Sequence, residues 1–283
     1  MINFPNAKIN IGLFITEKRP DGFHSIETIM TAIPLYDAIE IIETTDTIGD
    51  FEFVNYGTPI DCKADNNLIV KALTLLKSDF AIPPIRIFLQ KNIPFGAGLG
   101  GGSADAAFML KLLNNKFQLH LSVEAMQNYA KKLGSDCAFF VTNHTTFAHG
   151  RGDIFEPINL HLSNYQLVLI VPAVHVRTAD AYTHVQPHKA PFDLRFIDKI
   201  DIWQWKDCII NDFETSVFQQ YPQLQQLKTM LYEVGAVYAS MSGSGSALYG
   251  IFEKPLATAV LEQIDQFLVV HAEDATRFVL DLQ

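Results

Sequence analysis

Pro94-Phe95-Gly96-Ala97-Gly98-Leu99-Gly100-Gly101-Gly102-Ser103-Ala104-Asp105-Ala106-Ala107 puts five glycines between Gly96 and Gly102. Ahead of it, Ile85-Arg86-Ile87-Phe88-Leu89 alternates apolar and polar positions with β-branched residues and predicts a strand. Behind it, Ala106, Ala107, Leu110 and Leu113 recur at helical spacing, with Ser103 and Asp105 placed as capping residues. The unit is therefore strand, glycine loop, helix. Glycines let several backbone amides converge on one point, and the helix adds its unsatisfied N–H groups and the positive end of its dipole. Such a unit is an anion cradle suited to phosphate, whereas a flexible linker has no reason to sit between a strand and a capped helix.

Three common phosphate cradles fail on context. Gly96, Gly98 and Gly101 formally satisfy the dinucleotide pattern, but no acidic residue about twenty positions on ends a second strand. A Walker A loop carries lysine after its last glycine, and here Ser103 follows Gly102 directly. A protein-kinase glycine loop runs into a strand, not a helix.

Composition sets the outer bounds. At 283 residues, with 48% hydrophobic and 18% charged residues, the chain can bury a substantial core and is not disordered. A net charge of −10 argues against a nucleic-acid partner. Cys62, Cys137 and Cys208 are scattered without metal spacing, which points to reduced thiols. The N-terminus lacks the pattern of a secretory signal, and the richest apolar run, Leu167 to Val171, is far short of the ~20 residues a membrane helix needs. A cytoplasmic protein with no membrane partner is expected.

Along the chain, residues 7–15 alternate as a strand, with Lys8 and Asn10 on one face; by spacing alone that face is solvated. Arg19-Pro20-Asp21-Gly22 makes a turn from which Phe23 and His24 emerge toward a strand at 26–30. Strands are predicted over 38–43 and 50–55, and a helix over 67–76 capped by Asn66 or Asn67. A further helix runs from a cap at Ser122 to Leu133 and stops at Gly134, a residue suited to the left-handed conformation. Asp136 follows as the N-cap of the next helix, and 149–153 is a glycine turn. The composition shift near residue 160 divides the chain into domains at 1–160 and 161–283. In the second half, a strand at 165–171 and an irregular proline-containing stretch lead to a helix at 222–234. Strands at 237–241 and 246–252, a helix at 255–267 and a strand at 276–282 follow. This β-α-β-β-α-β order predicts a ferredoxin-like domain, with Met241-Ser242-Gly243-Ser244-Gly245-Ser246-Ala247 as a hairpin loop.

The loop from Pro94 to Ala104 closely resembles the second motif of the GHMP kinases, with the extra glycine typical of the branch of 4-diphosphocytidyl-2-C-methyl-D-erythritol kinases. Ala7-Lys8-Ile9-Asn10 followed by Asp21-Gly22-Phe23-His24 is similar to that branch's opening signature, where the aromatic residue is usually tyrosine. Asp65-Asn66-Asn67-Leu68-Ile69, Gly134-Ser135-Asp136-Cys137-Ala138-Phe139-Phe140 and the 241–247 loop match further family elements, so the resemblance covers essentially the whole chain. It implies an α+β, two-domain fold, with an N-terminal ribosomal-S5-like domain that binds ATP and a C-terminal ferredoxin-like domain. It implies phosphoryl transfer from ATP with Mg2+, Asp136 as catalytic base and Lys8 as its partner. The nucleotide contacts it implies are Asn67, Lys91, Pro94, Gly96, Gly98, Leu99, Gly100, Gly101, Gly102 and Ser103. Those for a substrate bearing a cytidine diphosphate group are Asn10, Phe23, His24, Gly150 and Tyr182. No metal ligand declares itself beyond Ser103 as a weak candidate, and Ala104 stands where the family often has a second serine. A monomer or weak homodimer is expected. A GHMP kinase for another alcohol, a non-catalytic nucleotide-binding module and a dinucleotide-dependent oxidoreductase remain as alternatives.

Overall fold

A computed structural model describes residues 1–45, 49–60, 66–183 and 185–282; Cys62 and Asp65 lie outside the described residues. The first half contains β1 (Ile2–Asn3), β2 (Asn6–Lys18), β3 (His24–Tyr36), β4 (Ala38–Glu43), β5 (Phe51–Gly57), α1 (Leu68–Lys77), β6 (Ile85–Lys91), α2 (Gly101–Lys116), α3 (Val123–Leu133), α4 (Cys137–Thr142), β7 (Thr146–His149) and β8 (Ile154–Pro157). The second half contains β9 (Tyr165–Val171), α5 (Thr178–Ala181), α6 (Trp205–Cys208), α7 (Phe213–Gln220), α8 (Pro222–Glu233), β10 (Tyr238–Met241), β11 (Leu248–Glu253), α9 (Thr258–His271) and β12 (Thr276–Asp281).

These elements form two units that interleave along the sequence. The first comprises residues 1–8, 35–95 and 100–144, and the second residues 9–34, 96–99 and 145–283. A cut at residue 160 is thus a division of the sequence, whereas each unit draws on several segments.

In the first unit the sheet order is β1-β4-β6-β5, with β5 parallel to β6 and the other pairs antiparallel. Ile85, Ile87 and Leu89 are fully buried along β6 while Arg86 and Phe88 between them are only partly so, which is the alternation read from sequence. Each such side chain contributes about 1.5–3 kcal/mol by leaving water. Asn67 caps α1 by accepting from the Ile69 N–H at 2.9 Å, and Ser122 caps α3 by accepting from the Ala125 N–H at 3.1 Å.

Two terminal expectations fail. Gly134 closes α3 in an extended conformation, φ 171°, and not in the left-handed one. The N-cap of α2 is Gly100, at φ +71°, and no side chain caps this end. Ser103 and Asp105 sit within the first turns, because the glycine run lets the helix begin at Gly101, two residues before the first capping-type side chain. The first amides of α2 thus have no side-chain cap.

In the second unit, β10-β11-β9-β12 form an antiparallel sheet. With α8 after β9 and α9 after β11, this is the ferredoxin-like order. Pro222 stands at the first position of α8, as its missing N–H favours. A second sheet runs β2-β3-β7-β8. The stretch read as irregular contains a helix, α7, whose Phe213 and Val217 are buried in the core with Leu224 and Leu227 of α8.

The 241–247 connection is more than a hairpin loop. Ser242 Oγ donates to the Gly98 carbonyl at 2.9 Å, and the Ala247 N–H donates to the Ala97 carbonyl at 3.1 Å. Gly98, at φ +79°, has no room for a side chain, since a Cβ would stand 2.0 Å from the Ser242 carbonyl oxygen. Among the described residues no helix is long and apolar enough to cross a membrane.

Candidate active site

In the first unit, the Lys8 ammonium lies 3.3 Å from an Asp136 carboxylate oxygen. Lys8 is 3% exposed, so the solvated face expected from strand spacing is wrong: the lysine emerges from the interior to meet a carboxylate that is 32% exposed. Asp136 occupies the N-cap position of α4, but its side chain makes no capping hydrogen bond. It is committed to Lys8 instead. The lysine stem runs beside the start of α2, where a Cβ on Gly100 would stand 3.1 Å from Lys8 Cγ. An ammonium, a half-open carboxylate and an uncapped helix N-terminus are therefore gathered within one unit. Donors for an anion and an acceptor for a hydroxyl proton stand side by side, which is what phosphoryl transfer to an alcohol asks of a protein.

Lys91 departs from its expected role in the nucleotide site. It is 2% exposed, and its ammonium is shared between the Asp37 carboxylate and Asp105 Oδ2, the latter at 2.9 Å. Asp37 Oδ1 also accepts the N–H groups of Asn92 at 2.6 Å and Ile93 at 2.8 Å. This buried triad ties the end of β6, the chain entering the glycine loop and the first turns of α2. Lys91 supports the cradle from within and does not present its charge to a ligand. Burial pushes the Asp105 carboxyl up to about 7, against the pull of Lys91 and with the help of Asp37. The folded protein therefore holds a proton that the unfolded chain releases near pH 4. This contribution to stability is full below that pH and is lost as pH rises through about 7. The melting temperature of Asp105→Asn should fall less than that of the unsubstituted protein between pH 5 and 7.5; parallel curves would contradict the assignment.

Ser103 is turned inward, its hydroxyl hydrogen-bonding the Cys137 thiol, which burial pushes up to about 12 and so keeps protonated. No three His, Cys, Asp or Glu side chains gather as a metal site among the described residues. Leu99 is buried as the anchor of the loop, and Asn67 spends its side-chain oxygen on the α1 cap. Gly101 and Gly102 are helical, and Pro94 and Gly96 precede the helix without a polar side chain to offer.

In the second unit, Asn10 Nδ2 donates to Thr28 Oγ1 at 3.1 Å, and the Asn10 carbonyl accepts from Tyr249 Oη at 2.7 Å, so Asn10 too is an internal residue of its strand. Phe23 is exposed at the turn. His24 stacks on Tyr182, with ring centroids 4.7 Å apart and planes 17° from parallel, and Tyr182 meets Phe213 edge-on at 4.7 Å. Tyr182 thus braces His24 from one side. Gly150, at φ +68°, shapes the β7–β8 turn, and its carbonyl accepts the Ile26 N–H at 2.8 Å. Sequence reasoning missed Asp37, Asp105 and Arg151; for the first two no local pattern exists, since residues 37, 91 and 105 meet only in the folded chain.

Comparison with known proteins agrees with this geometry. The GHMP kinases N terminal domain matches residues 67–144, and the GHMP kinases C terminal domain matches residues 203–270. The 4-diphosphocytidyl-2-C-methyl-D-erythritol kinase of Bacteroides fragilis (strain YCH46) is 54% identical, covering 89% of this chain and 92% of that protein. The kinase of the same name from Bacteroides thetaiotaomicron is 52% identical over 89% of this chain and 92% of that protein. A crystal structure of 4-(cytidine 5'-diphospho)-2C-methyl-D-erythritol kinase superposes with a TM-score of 0.82 at 27% identity, covering 100% of both chains. The α+β fold with ribosomal-S5-like and ferredoxin-like parts is the one these matches share, and the chain belongs to the GHMP kinases, in the branch of the 4-diphosphocytidyl-2-C-methyl-D-erythritol kinases.

Proposed function

We propose that this chain transfers the γ-phosphoryl group of ATP to the 2-hydroxyl of 4-diphosphocytidyl-2-C-methyl-D-erythritol, giving the 2-phosphate and ADP, in the non-mevalonate route to isoprenoid precursors. The observation that carries the chemistry is the Lys8–Asp136 pair at 3.3 Å beside the uncapped start of α2. Asp136 accepts the hydroxyl proton, and Lys8 orients that carboxylate and stabilises the oxyanion as it forms. The amides from Gly100 onward and the α2 dipole take the phosphates, with Asn67 bordering the adenine. ATP would enter as its magnesium complex, the metal neutralising charge on the phosphate oxygens.

Phe23 offers its face to the cytosine, His24 its polar edge, and Tyr182 holds His24 in place; Gly150 and Asn10 border the same substrate. Stacking of one base is worth roughly 1–3 kcal/mol. Phe23→Ala should therefore raise the KM for the cytidyl substrate about tenfold or more and leave that for ATP unchanged, while equal rises in both would remove the stacking role. The protein works in the cytoplasm as a monomer or weak homodimer, with an ATP-binding domain over residues 1–160 and a second domain over 161–283. Phosphorus NMR of the product tests the reaction itself. A new phosphomonoester with no proton coupling is expected, because the 2-carbon carries a methyl group and no hydrogen, and a proton-coupled phosphomonoester would refute transfer to the 2-hydroxyl.

A further inference from the structure

Arg151 stands at the tip of the β7–β8 turn, with its guanidinium carbon 3.7 Å from the centroid of the Phe23 ring. Backbone geometry dictates this placement. The Ile26 N–H, two residues beyond His24, donates to the Gly150 carbonyl at 2.8 Å. Gly152, at φ +84°, lies against Ile26, so close that a Cβ there would stand 3.1 Å from Ile26 Cδ1. The turn is pinned to the strand that begins just after Phe23, and residue 151 is carried over that ring.

The carboxylates beside it have other hydrogen-bond partners, and Asp21, whose carboxyl is held low by the Phe23 N–H, by Arg19 and, through space, by the Arg151 charge, forms no ion pair with Arg151. Asp21 takes Arg19, 3.2 Å away, and the Phe23 N–H at 3.1 Å. Asp153 takes the backbone N–H of Arg151 itself at 3.1 Å. Among the described residues no carboxylate forms an ion pair with the Arg151 guanidinium. A guanidinium lying over an aromatic ring spends its face on the π system and keeps its N–H edges for an anion, to which it can present two parallel donors.

We propose that Arg151 is a substrate-recognition residue that receives the diphosphate of the cytidyl substrate while its stacking on Phe23 extends the platform for the base. This rests on the cytidyl reading above and adds to it the group that selects a nucleoside diphosphate over a nucleoside. A simple cover for Phe23 would need neither a charge nor free donors.

Calorimetric titration with cytidine diphosphate and with cytidine, on the unsubstituted protein and on Arg151→Met and Arg151→Lys, tests it. Arg151→Met should lose about tenfold or more in affinity for cytidine diphosphate, the worth of a charge-assisted hydrogen bond, and less than about twofold for cytidine. Arg151→Lys keeps the charge and should recover most of that loss. An equal loss for both ligands would reduce Arg151 to part of the platform, and no loss for either would overturn the proposal while leaving the cytidyl pocket standing. If the unsubstituted protein binds neither ligand, the cytidyl reading fails first and this proposal falls with it.

Discussion

Asp136→Asn should lose about 10²–10⁴-fold in turnover, the worth of a positioned general base, with nucleotide affinity nearly unchanged. The amide keeps the size and position of the carboxylate and has no capping bond to break, since the Asp136 side chain makes none at the start of α4. What it loses is the ability to take a proton and to pair with Lys8. Lys8→Met should likewise lower kcat more than it alters ATP binding, because the ammonium acts on the reacting oxygen and on Asp136. Steady-state kinetics with ATP titrated at saturating alcohol separates the two parameters. Turnover of Asp136→Asn near that of the unsubstituted protein would remove Asp136 from the mechanism.

Lys91→Met should destabilise the fold by about 3–5 kcal/mol, the usual cost of removing one partner from a buried ion pair. The substitution leaves the Asp37 carboxylate without its cation beside the protonated Asp105 carboxyl, both almost wholly buried. A domain has only about 5–15 kcal/mol of net stability to lose. The denaturant midpoint at constant m-value reads the loss directly. Combining Lys91→Met with Asp37→Asn should restore part of it, because the stranded charge is then absent while the amide oxygen can still accept the N–H groups of Asn92 and Ile93. A loss below about 1 kcal/mol would mean that the triad is not the internal support of the cradle.

The central strand, loop and helix were legible because each leaves a local trace. Ile85, Ile87 and Leu89 alternate, the glycines cluster, and Ala106, Leu110 and Leu113 recur at helical spacing. The ferredoxin-like order was legible for the same reason, from Tyr165 to Leu282. Helix α7 was not, because only a few buried side chains such as Phe213 and Val217 mark its eight residues, and Asn211-Asp212 before it, whose Asn211 Oδ1 accepts the Phe213 N–H at 3.0 Å, serves equally well as a turn signal. The start of α2 was misread because capping preferences assume a side chain will bond the amides, and Gly100 leaves them open.

In the site, Lys8 and Asp136 are 128 positions apart, and strand spacing alone placed Lys8 in solvent; only the resemblance paired them, and the packing then shows the lysine buried and aimed. Lys91 was implied as a nucleotide contact by the resemblance alone; its carboxylate partners arrive from residues 37 and 105, which no spacing in the chain foretells. Arg151 gave no signal because a cation over an aromatic ring depends on the register of a turn against a strand.

The most direct measurement is ADP release from the purified protein with ATP and magnesium, comparing 4-diphosphocytidyl-2-C-methyl-D-erythritol with methylerythritol phosphate lacking the cytidyl group, mevalonate and homoserine. Turnover confined to the cytidyl compound is the predicted result. Equal or faster turnover of any of the other three would contradict the account.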